Sequence, residues 1–214
     1  MDEVWRSGQQ HCDAVPGAGF ESDTQTSLED YFLNEWPQDE EGYNHRQAAR
    51  VVAFNSRDEL LLLRGHDFSD FDHWWWFTVG GGLEIGEDPR AGAIREFFEE
   101  TGYRLQPDAL VGPVLCRHAT FEFHALTCRQ DELFFLTWLP GEPVFVRDGF
   151  TAVEQKVLDE MRWWNLSALQ REIADGAVVY PQDLVSLAHG WVRGWDGTCP
   201  EISEGTVGKR RPAG

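Results

Sequence analysis

Three glutamates, Glu96, Glu99 and Glu100, stand close together near the middle of the chain. At 100° per residue, a helix would place all three within one arc and put its apolar residues on the opposite side. Like charges at these spacings destabilise a helix by roughly 0.2–0.5 kcal/mol per pair, and a hard cation would remove the repulsion. Oxygen ligands alone favour Mg²⁺ or Mn²⁺ over zinc. The alternative is a solvated acidic face, since helices commonly expose glutamate.

Local signals predict the elements that would carry these glutamates. Asp88 followed by Pro89 is typical of a helix start and Gly102 of a helix stop, so we predict a helix over 88–101. A predicted strand, HWWWFTV, precedes it and runs into a triple glycine at 80–82. Glycine readily adopts backbone angles that other residues avoid, so we expect another group to approach this backbone closely.

The glutamates also belong to a longer and more specific pattern, G-x5-E-x7-R-E-U-x-E-E-x-G-U, in which U is bulky and apolar. The residues at the fixed positions are Gly81, Glu87, Arg95, Glu96, Glu99, Glu100 and Gly102. This segment resembles the Nudix box of the Nudix hydrolase family. Phe97 and Tyr103 occupy the two U positions, where the family more often has aliphatic residues, and this departure concerns packing rather than chemistry.

The resemblance implies a hydrolase that cleaves a diphosphate linkage in a nucleoside diphosphate derivative or a related nucleotide. The three helix glutamates would bind Mg²⁺ or Mn²⁺, with the Gly81 carbonyl as a further ligand. Arg95 would orient the carboxylates, and Glu87 would tie the loop to the helix. Water would then attack phosphorus while metal and arginine neutralise the leaving oxygen.

Two roles stay open at this level. The general base comes from the helix in some family members and from a distant loop in others, which leaves Glu96 and Glu154 as candidates; the box spacing favours Glu96. Arg46, Arg50 and Arg64 lie in the first predicted hairpin and could hold phosphate, although arginines at strand ends are usually only solvated.

Charge and composition restrict the partners. Acidic residues outnumber basic ones 37 to 18, giving a net charge of −19, which disfavours nucleic acid and calls for a cation beside any polyphosphate substrate. The chain contains no apolar run near the roughly 20 residues that cross a bilayer, so we expect a cytoplasmic protein without a membrane partner. Consecutive tryptophans at 74–76 and 163–164 would stack on a base, pack in the core or form a homodimer interface.

The remaining pattern predicts an α/β (α+β) fold, a Nudix-like α/β/α sandwich with a mixed β-sheet. Predicted strands lie at QAARVVAF, ELLLLR, VGPVLCRH, TFEFHAL, ELFFLTWL and RWW, with helices near 167–175 and 181–191. We predict a domain over 45–195. Residues 1–44, with eleven acids and one arginine, form an acidic extension with a short helix near 28–36, and residues 196–214 form a flexible tail.

Two other functions would fit the same fold. A noncatalytic nucleotide sensor is disfavoured because the box is intact and no DNA-binding segment is evident. A diphosphate isomerase would need a catalytic cysteine near the site, for which Cys116 is the only candidate near the core strands.

Overall fold

The computed structural model describes residues 36–67, 70–123, 126–141, 143, 145 and 158–205, and within these ranges four strands precede the first of three helices that are interspersed among the later strands. In chain order they are β1 (Asn44–Phe54), β2 (Leu60–Asp67), β3 (Asp70–Phe77), β4 (Val79–Gly82), α1 (Pro89–Thr101), β5 (Val111–Phe123), β6 (Leu126–Trp138), β7 (Leu158–Trp164), α2 (Leu166–Ala174), β8 (Val179–Tyr180), α3 (Leu184–Trp191) and β9 (Glu201–Glu204). A 3-10 turn at Pro107–Ala109 precedes β5.

All these strands belong to one mixed sheet. Its main path runs β8-β3-β2-β1-β6-β5-β9, while β4 pairs with β1 and β7 pairs with β2. The pairs β1–β6, β3–β8 and β5–β9 are parallel, and the other pairs are antiparallel. Strand β1 lies in the middle of this path. It pairs with β6 along its whole length and with β4 at the triple glycine.

The sheet separates two hydrophobic cores, because successive residues of a strand point to opposite faces. On one face Val51 and Leu61 pack with Phe97 of α1. On the other face the cluster contains the residues Val52, Leu62, Phe134, Leu169, Leu184 and Ala188, so α2 and α3 cover it. Helices on both faces of a mixed sheet confirm the predicted sandwich.

The predicted helix over 88–101 is confirmed with nearly the same ends. Two predicted strands, VGPVLCRH and TFEFHAL, are instead the single strand β5, so their separation was wrong. The sequence between them has no glycine or proline, Ala119 is buried, and pairing with β6 continues from Leu115 to Phe123. Continuous pairing therefore removes the need for a break.

The C-terminal segment also differs from the expectation of a flexible tail over 196–214. Residues 201–204 form β9, which pairs in parallel with residues 116–119 of β5. Glu201 and Glu204 contact His118 and Arg117, so charge complementarity fixes a segment whose composition alone predicts mobility. Residues 206–214 lie outside the described residues.

The other end contributes a short packed segment. Trp36 is buried against the ring of Phe121, at 5.9 Å between centroids, and the guanidinium of Arg46 lies 4.0 Å from its ring centre. The predicted helix near 28–36 lies outside the described residues except for Trp36. No helix in the described ranges is long and apolar enough to span a membrane.

Candidate active site

Helix α1 begins and ends at its capping residues. The carboxylate of Asp88 accepts hydrogen bonds from the backbone N–H groups of Arg90 (3.0 Å) and Ala91 (3.1 Å), which have no partner within the helix. At the other end Gly102 adopts a left-handed φ of 69° and donates its N–H to the carbonyl of Phe98. These caps fix the two ends of the helix that carries the three glutamates.

Arg95 joins that face to the preceding loop. Its guanidinium donates to both oxygens of Glu87 (2.9 and 2.8 Å), to Glu96 (2.7 Å) and to Glu99 (3.1 Å). It also donates to the carbonyl of Gly82 (2.9 Å), the last residue of β4. The hydrogen bonds that Arg95 donates to Glu87 and, next in importance, to Glu96 raise the pKa of Arg95. A permanent positive charge therefore lies among the carboxylates.

Glu87 holds the loop between β4 and α1. Besides its two bonds to Arg95, its carboxylate accepts the backbone N–H of Glu84 at 2.9 Å. The hydrogen bond from Arg95 is the main reason that the pKa of Glu87 lies below its usual value. This geometry agrees with a supporting role, with the carboxylate directed to Arg95.

Glu96 and Glu100 face the triple glycine. They are only 8% and 4% exposed, so this side of the helix is not a solvated acidic face. The Glu96 carboxylate lies directly against Gly81, where an added Cβ would be 2.4 Å from its nearer oxygen. Glu100 accepts the backbone N–H of Gly80 at 2.7 Å. The close approach predicted for this glycine segment is thus made by the helix glutamates.

Glu99 occupies the outer part of the face, with 47% of its side chain exposed. Among the residues that the structure describes, no three acidic, histidine or cysteine side chains already converge as ligands on one point. Arg95 lies between Glu96 and Glu99 instead. The donor set fits a hard divalent cation, because it consists of carboxylate oxygens beside a glycine backbone, and the exposed Glu99 can join it by a change of rotamer.

The predicted substrate arginines lie away from α1. Even-numbered residues of β1 share the face of Val52, so Arg46 and Arg50 lie on the side covered by α2 and α3. Arg46 donates to Gln130 at 2.7 Å, and Arg64 pairs with Glu160 at 3.4 Å. The structure does not bring either together with the three glutamates, and Glu154 lies outside the described residues.

Sequence reasoning missed a buried glutamate on β6. Glu132 is 2% exposed and pairs with Arg50 and Arg117, while Arg117 also pairs with Glu204. A signal was available in the sequence: Glu132 lies two residues before Phe134 in an apolar stretch, so both side chains point to the same face of the strand. A charge on such a face requires a buried partner.

Comparison with known proteins agrees with this arrangement. The model of the NUDIX domain matches residues 44–182, well over half of the chain. The chain belongs to the Nudix family. The match extends from β1 to the residues before α3 and includes every candidate ligand on α1 and β4.

Several relatives of this Nudix chain are curated enzymes. A diphosphoinositol polyphosphate phosphohydrolase 3-beta from Bos taurus is 35% identical over 74 residues, which cover 35% of this chain and 43% of that protein. A diphosphoinositol polyphosphate phosphohydrolase 2 from Mus musculus is 34% identical over 74 residues, covering 35% and 39%. The matched region spans about two fifths of the length of these relatives.

Solved structures share the fold at low identity. A MutT protein from Bacillus halodurans aligns over 74% of this chain and 89% of its own, with a TM-score of 0.50 and 13% identity. A NUDIX hydrolase from Alicyclobacillus acidocaldarius aligns over 70% and 93%, also with a TM-score of 0.50, at 17% identity. These structural similarities confirm the predicted fold.

Proposed function

We propose that this chain is a divalent-metal diphosphohydrolase that cleaves a diphosphate linkage in a nucleoside diphosphate derivative. The observation that carries the proposal is the position of Glu96 and Glu100 against the glycine backbone. Glu99 lies one helical turn after Glu96, and Arg95 donates hydrogen bonds to both of these residues. Family membership supports the same reaction class.

Glu96, Glu99 and Glu100 would hold Mg²⁺ or Mn²⁺, with the Gly81 carbonyl beside them. The cation would supply positive charge to the diphosphate and activate water as a nucleophile. Arg95 would hold Glu96 in place and compensate the clustered negative charge when Glu99 turns inward. Glu87 would keep Arg95 in this orientation through its two hydrogen bonds.

The charge distribution favours a substrate with few phosphates. A diphosphoinositol polyphosphate carries many negative charges and requires a cluster of basic side chains. Arg50 and Arg117 are already neutralised by Glu132 and Glu204, and Arg64 pairs with Glu160. A nucleoside diphosphate derivative makes a smaller demand on positive charge, and bound cations would meet it.

The same fold with isomerase chemistry is less well supported. Such a reaction needs a reactive cysteine, but burial raises the pKa of Cys116, which lowers the fraction of reactive thiolate. Its sulfur lies 3.7 Å from Nε2 of His118 on the same strand, and that histidine contacts Asp131 and Glu201.

A substrate panel tests the proposal. Purified protein is incubated with nucleoside diphosphate sugars, dinucleotides, nucleoside triphosphates and a diphosphoinositol polyphosphate, first with Mg²⁺ and then with Mn²⁺, and the products are identified by mass. We expect hydrolysis between the two phosphorus atoms of a nucleoside diphosphate derivative and none with a chelator. Hydrolysis of the inositol compound alone would contradict the substrate class, and inactivity throughout would contradict the function.

We further propose Glu96 as the general base, with Glu154 as the alternative. If Glu96 both binds the metal and takes the proton, Glu96→Gln removes both roles at once and should weaken Mn²⁺ binding and lower kcat together. Glu154→Gln should then keep a kcat and an Mn²⁺ affinity near those of the wild type. Measuring kcat across a Mn²⁺ titration separates the cases. A loss of roughly 10²–10⁴-fold in Glu154→Gln at saturating Mn²⁺ would transfer the role to Glu154.

A further inference from the structure

A row of charged side chains crosses the sheet on the face opposite α1. Glu204 of β9 accepts two bonds from Arg117 of β5 (2.8 and 2.7 Å), and Arg117 also pairs with Glu132 of β6. The other oxygen of Glu132 accepts from Nε of Arg50 on β1 at 2.8 Å. Neighbouring strands supply alternating charges, so the row is continuous from the sheet edge to its centre.

Burial makes the members of this row depend on one another. The side chains of Arg50, Glu132 and Arg117 are at most 11% exposed, and Glu204 is 12% exposed. Burial by itself raises the pKa of Glu132, but the charges of Arg50 and Arg117 outweigh it and hold this pKa below its usual value. Two arginines face one glutamate in the interior, and Glu204 balances the second positive charge. Removing one member of such a group leaves a buried charge uncompensated.

The row ends on the backbone of the glycine segment. Nη1 of Arg50 donates to the carbonyl of Gly80 and lies 3.4 Å from that of Thr78. Gly80 has a φ of +130°, and a Cβ there would meet the carbonyl oxygen of Ala49 at 2.2 Å. This backbone therefore has little freedom, and the N–H of the same residue donates to Glu100.

We propose that Arg50 is a positioning residue for the active site and that the Glu132–Arg117–Glu204 row sets its orientation. Arg50 holds Gly80 from one face of the sheet while Glu100 binds Gly80 from the other, so strand β9 acts on the glutamate face of α1 through the four strands β5, β6, β1 and β4. Arg50 acts through Gly80 and Glu100 and is not itself a group that touches the reacting atoms. This inference rests on the proposed function only where it concerns turnover.

The first test replaces Arg50 by lysine, which keeps the charge beside Glu132 but lacks the second nitrogen that reaches Gly80. Hydrogen exchange of a peptide containing residues 78–82 is followed by mass spectrometry without substrate. We expect exchange about tenfold faster than in the wild type, because a hydrogen bond from a charged donor is lost. With a cleaved substrate, kcat should fall roughly tenfold at unchanged KM, since alignment rather than binding is affected.

The second test acts at the far end of the row. Glu204→Gln removes one negative charge from Arg117, and Glu41→Gln is its matched control because Glu41 pairs with the strand arginine Arg129 in a more exposed position. We expect faster exchange at 78–82 in Glu204→Gln and no change there in Glu41→Gln. If Glu204→Gln and Glu41→Gln lower the melting temperature equally and neither speeds hydrogen exchange at 78–82, the row has only a structural role.

The outcomes separate the inference from the function. Unchanged exchange at 78–82 in Arg50→Lys would overturn the positioning role even in an active enzyme. If the wild type cleaves no substrate, the proposed function fails, and the exchange data still decide whether Arg50 and β9 control the glycine segment.

Discussion

Gly81 lies so close to the Glu96 carboxylate that no side chain fits between them. The backbone of Gly81 has no positive φ that would itself exclude alanine, so the cost of a methyl group there falls on Glu96. We predict that Gly81→Ala displaces this carboxylate, weakens Mn²⁺ binding and lowers kcat by roughly tenfold or more, with a small change in stability. Electron paramagnetic resonance of free Mn²⁺ and steady-state kinetics measure both effects.

Gly190 of α3 provides the control. An added Cβ there meets nothing within 4 Å, and alanine favours a helix interior over glycine by roughly 0.5–1 kcal/mol. Gly190→Ala should therefore be active and slightly more stable. Unchanged Mn²⁺ affinity in Gly81→Ala would show that Glu96 does not need its present position to bind metal.

At the same scale, the sequence predicted candidate residues for the site but not the partners that these residues contact. The spacing of Glu96, Glu99 and Glu100 predicts that one helix places them on one face, and the resemblance to the Nudix box added Arg95. The partners of Glu132 and Glu204 could not be assigned, because distant strands must pair before they meet. Arg50 lies 82 residues before Glu132, and Arg117 lies 87 residues before Glu204. Glu96 and Glu100 are also more buried than a helix wheel suggests, because β4 covers them.

At the scale of elements, a histidine connects the last strand to the sheet. Nδ1 of His118 on β5 lies 2.6 Å from Asp131 of β6, and its Nε2 lies 3.1 Å from Glu201 of β9. The hydrogen bond between His118 and the accepting carboxylate of Asp131 is the largest cause that raises the pKa of His118, and Glu201 adds to it. Protonated His118 therefore bridges two carboxylates on neighbouring strands.

This bridge predicts a pH-dependent stability. A histidine whose pKa is raised on folding stabilises the fold fully below its unfolded pKa of about 6.5, and the contribution disappears as pH rises through the folded value. The wild type should melt above His118→Gln at about pH 5.5, and the difference should shrink by about pH 8.5. Thermal unfolding across this range measures it. His189→Gln, on an exposed position of α3, should show no such trend, and a constant difference for His118→Gln would contradict the bridge.

Elements with strong local signals were predicted well, including the strands at QAARVVAF, ELLLLR and ELFFLTWL, whereas the short strand β9 was not predicted. Helix α1 has a cap, a proline and a terminal glycine within its own sequence, so its ends could be predicted. Strand β9 has only four residues among polar and glycine-rich neighbours, and its order comes from β5. Such a strand forms only when a partner supplies its hydrogen bonds.

At the scale of the whole molecule, a net charge of −19 favours the binding of cations. A ligand that binds only the folded state stabilises it by about 2.7 kcal/mol at a hundred times its Kd. We predict that Mn²⁺ at this ratio raises the melting temperature of the wild type and raises that of Glu100→Gln much less. An equal gain in both proteins would mean that Mn²⁺ binds elsewhere on the acidic surface, and a matched titration with Na⁺ corrects for ionic strength.

The two outermost strands of the sheet, β8 and β9, contain two and four residues. An open edge offers unpaired N–H and C=O groups to another chain, and a long edge is a starting point for aggregation. Strand β5 has thirteen residues, and β9 covers its middle with Glu201 and Glu204 at either end. On the β9 side a second molecule can therefore extend the sheet over only a few residues, and it meets carboxylates when it does so. Strand β9, whose Glu204 pairs with Arg117, thus also limits edge-to-edge pairing of this sheet with a second molecule, the step from which fibres grow.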